Sequence, residues 1–191
     1  MANEIVFDIE TEKEFREVGG RNSPHLLGVT VVGIYNYEDD RFSAFEKHEL
    51  TIIEKMFKIT DRIIGFNIRS FDIPVLEPHV KIPLRKIPML DLMDDVEMGA
   101  GFRISLDNLA QATLGEKKSG TGLDALRWWR EGKKDKVKEY CLQDVRVTRN
   151  LYEFGKKNGH VFYVSRTTGE KIPISVKWQL EKNNQGMLPL A

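Results

Sequence analysis

The hydrophobic period of this chain changes along its length, and that change restricts the fold more than any other feature. Residues 4–10 and 26–37 read as strands, the second rich in Val and Ile (Val29, Val31, Val32, Ile34). Residues 41–45 read as a third strand, joined to the second through Asn36-Tyr37-Glu38-Asp39-Asp40, which predicts a hairpin. From Leu50 onward, Ile52, Ile53, Met56 and Phe57 recur at helical spacing. Short apolar strands follow at 62–66 and 87–92. Between them, residues 71–79 begin a helix with Pro74 in its first turn. Ser105 caps a helix bearing Leu106, Leu109, Ala110, Thr113 and Leu114, closed by Gly115. Helices are expected at 123–130 and 135–154, and a last hairpin is expected to pair 161–164 with 172–178 about Thr168-Gly169. Such an alternation predicts an α/β fold: a mixed β-sheet flanked by helices, then a short C-terminal β-hairpin and a loose tail. The expected organisation is one domain over 1–160, a hairpin extension over 161–180 and a flexible tail over 181–191.

Size and composition agree with one core. The chain has 191 residues, of which 41% are hydrophobic and 30% charged, an ordinary balance for a soluble protein. No apolar run approaches the ~20 residues that span a bilayer. The N-terminus lacks a basic stretch followed by an apolar one, so no signal peptide is expected. A lone cysteine, Cys141, excludes an internal disulfide, and a cytoplasmic protein is expected. Net charge is zero but unevenly spread: residues 1–100 carry 12 Lys+Arg against 19 Asp+Glu, and residues 101–191 carry 17 against 10. That asymmetry fits a polyanion-binding side next to an acidic site, and equally a salt-bridged surface with no ligand.

Three segments carry candidate chemistry. In Phe7-Asp8-Ile9-Glu10-Thr11, period two puts Asp8 and Glu10 on one face of a strand end. Two adjacent carboxylates repel unless cations neutralise them, and oxygen-only clusters suit Mg²⁺ or Mn²⁺. A solvated strand end explains a lone Asp-x-Glu as well. In Gly65-Phe66-Asn67-Ile68-Arg69-Ser70-Phe71-Asp72, an acid stands at a helix start, where it serves either a site or a cap. In Tyr140-Cys141-Leu142-Gln143-Asp144, the phenol and the acid share a helix face one turn apart. An Asp beside an apolar stripe is costly to bury unless it is paired or metal-bound, and a surface Asp next to a half-buried Tyr is the plainer alternative.

Taken together and in this order, the three segments resemble the exonuclease motifs of the DEDD superfamily within the RNase H-like fold. The tyrosine of the third segment is similar to that of the DEDDy branch. The wording is close to the proofreading exonuclease domain of family B DNA polymerases, and the resemblance runs from Ile5 to about Leu151, as of a compact exonuclease domain standing alone. It implies a 3′→5′ exonuclease that hydrolyses single-stranded DNA 3′ ends with two Mg²⁺ or Mn²⁺ ions. It further implies that Asp8 bridges both ions, that Glu10 and Asp144 hold the one serving the attacking water, and that Asp72 binds the other mainly through water. Tyr140 is implied to align the attacking water. Thr11, Asn67 and Phe71 match positions near the terminal nucleotide, with Phe71 able to stack on a base. The same acids would serve RNA 3′ ends, and a catalytically inactive nucleic-acid-binding or scaffold module is the third reading, against which the presence of all four acids and the tyrosine speaks.

The remaining residues are less specific. Asp91 reads as structural or as support for the cluster. Lys117, Lys118, Arg127, Arg130, Lys133, Lys134, Lys136 and Lys138 can track a phosphate backbone or form a solvated face. Of the adjacent Trp128 and Trp129, one is expected in the core and the other at a rim. His25, His48, His79 and His160 show no metal spacing, and Cys141 reads as a buried small hydrophobe. The terminal Gln185-Gly186-Met187-Leu188-Pro189-Leu190 resembles the peptides by which bacterial polymerases dock on the sliding clamp, and is equally a plain tail.

Overall fold

A computed structural model describes residues 2–116 and 120–179. Lys117, Lys118 and the tail at 181–191, with its peptide at 185–190, lie outside the described residues. The first strand, β1 (Glu4–Thr11), pairs antiparallel with β2 (Val29–Asn36), which pairs antiparallel with β3 (Arg41–Glu46). On its other edge β1 runs parallel to β4 (Arg62–Gly65), and β4 runs parallel to β5 (Met89–Asp91), giving the sheet order β3-β2-β1-β4-β5. The helices are α1 (Leu50–Ile59), α2 (Asp72–Leu76), α3 (Leu92–Ala100), α4 (Leu106–Leu114), α5 (Gly122–Arg130) and α6 (Lys134–Asn158). A separate antiparallel pair, β6 (His160–Val164) and β7 (Lys171–Ser175), closes the described chain.

Alternation along β1 sorts the two faces. Ile5, Phe7 and Ile9 join Ile53 and Phe57 of α1 in one core. Val6 points the other way, into a core with Val145, Leu151 and Tyr152 of α6. Period two therefore carries Asp8 and Glu10 onto the α6 side, away from the apolar face of α1. On β2 the residue opposite Asp8 is Gly33. A Cβ there would stand 2.8 Å from Cys141 Sγ and 3.0 Å from a Val145 methyl, so a bare glycine lets α6 lie close on the sheet.

Several element boundaries differ from expectation. The second strand starts at Val29 because Pro24–Leu26 forms a 3-10 turn with proline in its first positions. The helix expected at 71–79 ends at Leu76 and continues as a 3-10 turn, Glu77–His79, that contains Pro78. Helix α3 was not expected at all. It follows β5 without a loop because the last residue of β5, Asp91, is also its cap, accepting a hydrogen bond from the Met93 N–H at 3.1 Å. Only Leu92 and Val96 of α3 are buried, too few to display a helical period, and its acidic first turn suits the positive helix end.

The β6–β7 hairpin is stitched to α4 by side chains. Asn108 accepts from the Val164 N–H at 2.8 Å and donates to the Val164 carbonyl at 3.0 Å. Thr113 does the same with Phe162 at 2.9 and 3.0 Å. Beyond the hairpin, the buried Trp178 ring stacks on Tyr152 over the bare surface of Gly155. A buried Arg62–Glu4 ion pair underlies this corner, with Arg62 also donating to the Tyr152 hydroxyl at 2.7 Å and to the Trp178 carbonyl at 3.1 Å. Among the described residues no helix is long and apolar enough to cross a membrane.

Candidate active site

Asp8 and Glu10 project from β1, while Tyr140 and Asp144 project from α6, and all four line one cleft of about 380 Å³ with Thr11 and Phe71. Glu10, Tyr140 and Asp144 are nearly buried, and Asp8 is half-buried. One carboxylate oxygen of Asp8, one of Glu10 and the Cys141 sulfur lie within 4.8 Å of one another. Cys141 Sγ faces the Asp8 carbonyl at 3.5 Å and its carboxylate at 3.8 Å. Burial, reinforced by the surrounding acids, pushes the thiol well above its ordinary range, so it stays protonated at neutral pH. What remains for a cation is a set of carboxylates. That set fits hard, oxygen-preferring ions such as Mg²⁺ or Mn²⁺ better than thiolate-seeking zinc.

Asp72, at the first position of α2, lies behind this group. Its Oδ1 accepts the backbone N–H of Ile9, the residue between Asp8 and Glu10, at 3.1 Å. That bond fixes α2 to the acidic end of β1. Burial raises the Asp72 pKa first, and the charges of Asp91 and Asp144 add to it. The structure thus brings Asp8, Glu10, Asp72 and Asp144 to one end of the sheet, with Asp72 and Asp144 outside the tightest group.

Tyr140 and Asp144 are one turn apart and hydrogen-bonded. The Tyr140 pKa is raised, first by burial and then by Asp144, Glu10 and Asp8, so the phenol is neutral across the physiological range and serves as a donor. Its ring meets Trp128 edge-on at 6.1 Å. Contrary to expectation neither tryptophan is fully in the core: both are half-buried, and Lys134 lies over Trp129 at 5.0 Å.

Of the three expected nucleotide contacts, Thr11 and Phe71 reach the cleft. Thr11 donates to the Lys13 carbonyl at 2.9 Å, and Phe71 packs edge-on against Phe15. Asn67 does not line the cleft. It sits in left-handed backbone (φ 66°), with its amide oxygen accepting from Arg103. Asp91 is the clamp of that loop: its carboxylate accepts the N–H groups of Asn67 at 2.7 Å and Arg69 at 2.9 Å, besides capping α3. Many of the basic side chains are engaged on the surface. Lys134 and Lys138 pair with Glu46 at 2.7 and 2.8 Å, Arg130 pairs with Glu17 at 2.6 Å, and Arg127 with Asp124 at 2.9 Å. Gly33 and Arg103 escaped the sequence reading. A lone glycine in a strand was the one available signal for the first, and nothing local marked the second.

A five-stranded mixed sheet with these directions, covered by helices on both faces, defines an RNase H-like α/β protein with an acidic cleft at one sheet end. The sequence model of the RNase H superfamily matches residues 5–154, and the chain belongs to that superfamily. Among solved structures it is similar to the family B DNA polymerase from the hyperthermophilic archaeon Pyrobaculum calidifontis, with a TM-score of 0.61 and 22% identity. The likeness covers 81% of this chain and 24% of that chain, so this chain corresponds to about a quarter of the polymerase, and it is a likeness of fold. No curated protein matches. Membership of the superfamily supports a nuclease acting on nucleic acid, and divalent metals are general to its fold.

Proposed function

We propose that the chain is a 3′→5′ exonuclease that hydrolyses the terminal phosphodiester of single-stranded DNA with two Mg²⁺ or Mn²⁺ ions. One observation carries the reading: Asp8 and Glu10 from β1 and Tyr140 and Asp144 from α6 converge on one cleft, with Asp72 of a third segment bonded to the Ile9 N–H behind them. Asp8, Glu10, Asp72 and Asp144 would hold the cations, which supply charge relief at the phosphate and a lowered pKa for the attacking water.

The protein's own groups do the rest. A water oxygen attacks phosphorus, the bond from phosphorus to the penultimate 3′-oxygen breaks, and a 5′-mononucleotide leaves a strand with a new 3′-hydroxyl. Tyr140, a neutral phenol whose proton is given to Asp144, orients the attacking water by accepting a hydrogen bond from it at the phenol oxygen. Phe71 and Thr11 form the wall that would receive the terminal base and sugar. Asp72 holds the strand end in shape through the Ile9 N–H. The basic residues near α6 are a weaker part of the substrate reading, since several are already paired with acids.

The test is degradation of 5′-labelled single-stranded DNA and RNA with Mg²⁺ or Mn²⁺ by the wild type and Asp8→Ala. The expected result is a ladder shortening from the 3′ end of DNA, abolished by EDTA and reduced at least ~100-fold in the variant. Faster loss of RNA would move the substrate to RNA, and intact strands throughout would overturn the nuclease reading in favour of a binding module.

A further inference from the structure

The cleft does not end at Tyr140. A second hollow shares Thr121, Gly122 and Tyr140 with it and runs past Gly120 to Ser105. A third begins at Ser105 and lies between the loop before α4 and the hairpin, lined by Phe102, Arg103, Tyr163 and Arg166, with a volume of about 240 Å³. The three hollows follow one another from the acids toward the β6–β7 turn, the second and third meeting at Ser105.

The far end has the composition of a strand-binding platform. Phe102 is 49% exposed and meets Tyr163 edge-on at 5.6 Å, which leaves an aromatic surface open to a flat base. Arg166, exposed on the turn side, makes no ion pair with any described residue. Arg103 faces the same hollow, pairs with Glu97 at 3.5 Å and reaches back to Asn67, which connects the platform to the loop that leads into Asp72. Cations interleaved with aromatics bind phosphates and bases without regard to sequence. The acids of the cleft repel a strand that lacks its cations, so a basic holding point away from them is what a polyanion requires.

We propose that this far groove, formed by the loop before α4 and the C-terminal hairpin, holds the single strand several nucleotides upstream of the end being cleaved. The substrate class rests on the exonuclease reading, while the grip on the strand is tested without it. Phe102 and Arg103 lie within the residues matched by the superfamily model, and the hairpin that carries Tyr163 and Arg166 lies beyond them.

The experiment measures binding of 5′-fluorescein single-stranded DNA with Ca²⁺ in place of Mg²⁺, so that the cleft acids are neutralised, with strands of about four and about twelve nucleotides, for wild type, Arg166→Glu and Phe102→Ala. Both side chains are exposed, so neither change threatens the core, and equal melting temperatures confirm it. Each variant is expected to weaken the longer strand about tenfold while leaving the shorter one unchanged, and Arg166→Glu is expected to reduce the salt dependence by about one counterion. Equal loss on both lengths, or loss on neither, would overturn the proposal. Parallel cleavage of both strands with Mg²⁺ separates the two claims: a wild type that binds with this length dependence but cuts nothing removes the nuclease and keeps the groove.

Discussion

Tyr140 occupies a position where two demands meet. It must be buried enough to stand beside Asp144, and that burial, with three acids nearby, forbids its ionisation at neutral pH. A phenol that stays protonated can orient an oxygen but not take a proton from it. Tyr140→Phe is therefore expected to slow cleavage about 10- to 100-fold, while the pH–rate profile keeps the shape of the wild type and metal ions still raise the melting temperature. A profile that loses its alkaline limb in the variant would show the phenol titrating after all. At the end of β3, Glu46 accepts from Lys134 and then Lys138 of the same helix, which holds its carboxyl down to about 2. A carboxylate depressed in the folded state contributes stability above its unfolded value and loses it as pH falls from about 4.5 toward 2. Glu46→Gln is expected to cost about 1 kcal/mol at pH 7 and to flatten the loss of stability over that window, measured by urea unfolding from pH 7 to 3. Asp72 has the opposite sign: raised by burial, it disfavours the folded state as pH climbs through its folded value, a cost that cations in the cleft would offset.

At the level of elements, the site depends on how closely α6 lies on β2. Gly33 sets that distance, because any side chain would meet Cys141 and Val145. Gly33→Ala is expected to cost about 1–3 kcal/mol and to displace the helix by a few tenths of an ångström. Since Tyr140 and Asp144 ride on that helix, cleavage should fall further than stability alone explains, by about 10-fold or more under conditions where the variant is fully folded. Activity unchanged in a folded variant would mean that the helix has slack. The loop between β4 and α2 has a comparable fixture in Asp91, which caps α3 and holds the Asn67 and Arg69 amides together. The sequence reading assigned Asp91 a supporting part, and the structure shows which amides it holds.

Across the whole molecule, the segment after α6 is part of the main core. Trp178 is fully buried, stacks on Tyr152 and offers its carbonyl to Arg62, which in turn is paired with Glu4 of β1. Trp178→Ala should destabilise by about 3–5 kcal/mol in chemical denaturation, with a single transition that includes the RNase H-like sheet and helices. A separate early transition of the hairpin would show that the two unfold independently.

The sequence by itself determined the local pieces. Period two and period 3.6 announced most of the strands and helices, while Asp8, Glu10, Asp72, Tyr140 and Asp144 were singled out by the family resemblance of three segments taken together, each of them ambiguous by itself. Helix α3 was hidden because its cap is also a strand residue and only two of its side chains reach the core. The tertiary structure decided everything that depends on residues far apart in sequence. Gly33 meets Cys141 across more than a hundred residues, Glu4 pairs with Arg62, and Arg103 meets Asn67 only because the sheet order places their loops side by side. Spacing along a chain fixes which face a side chain takes, but close approach between elements is set by packing, and it is packing that turned separate acids into one cleft.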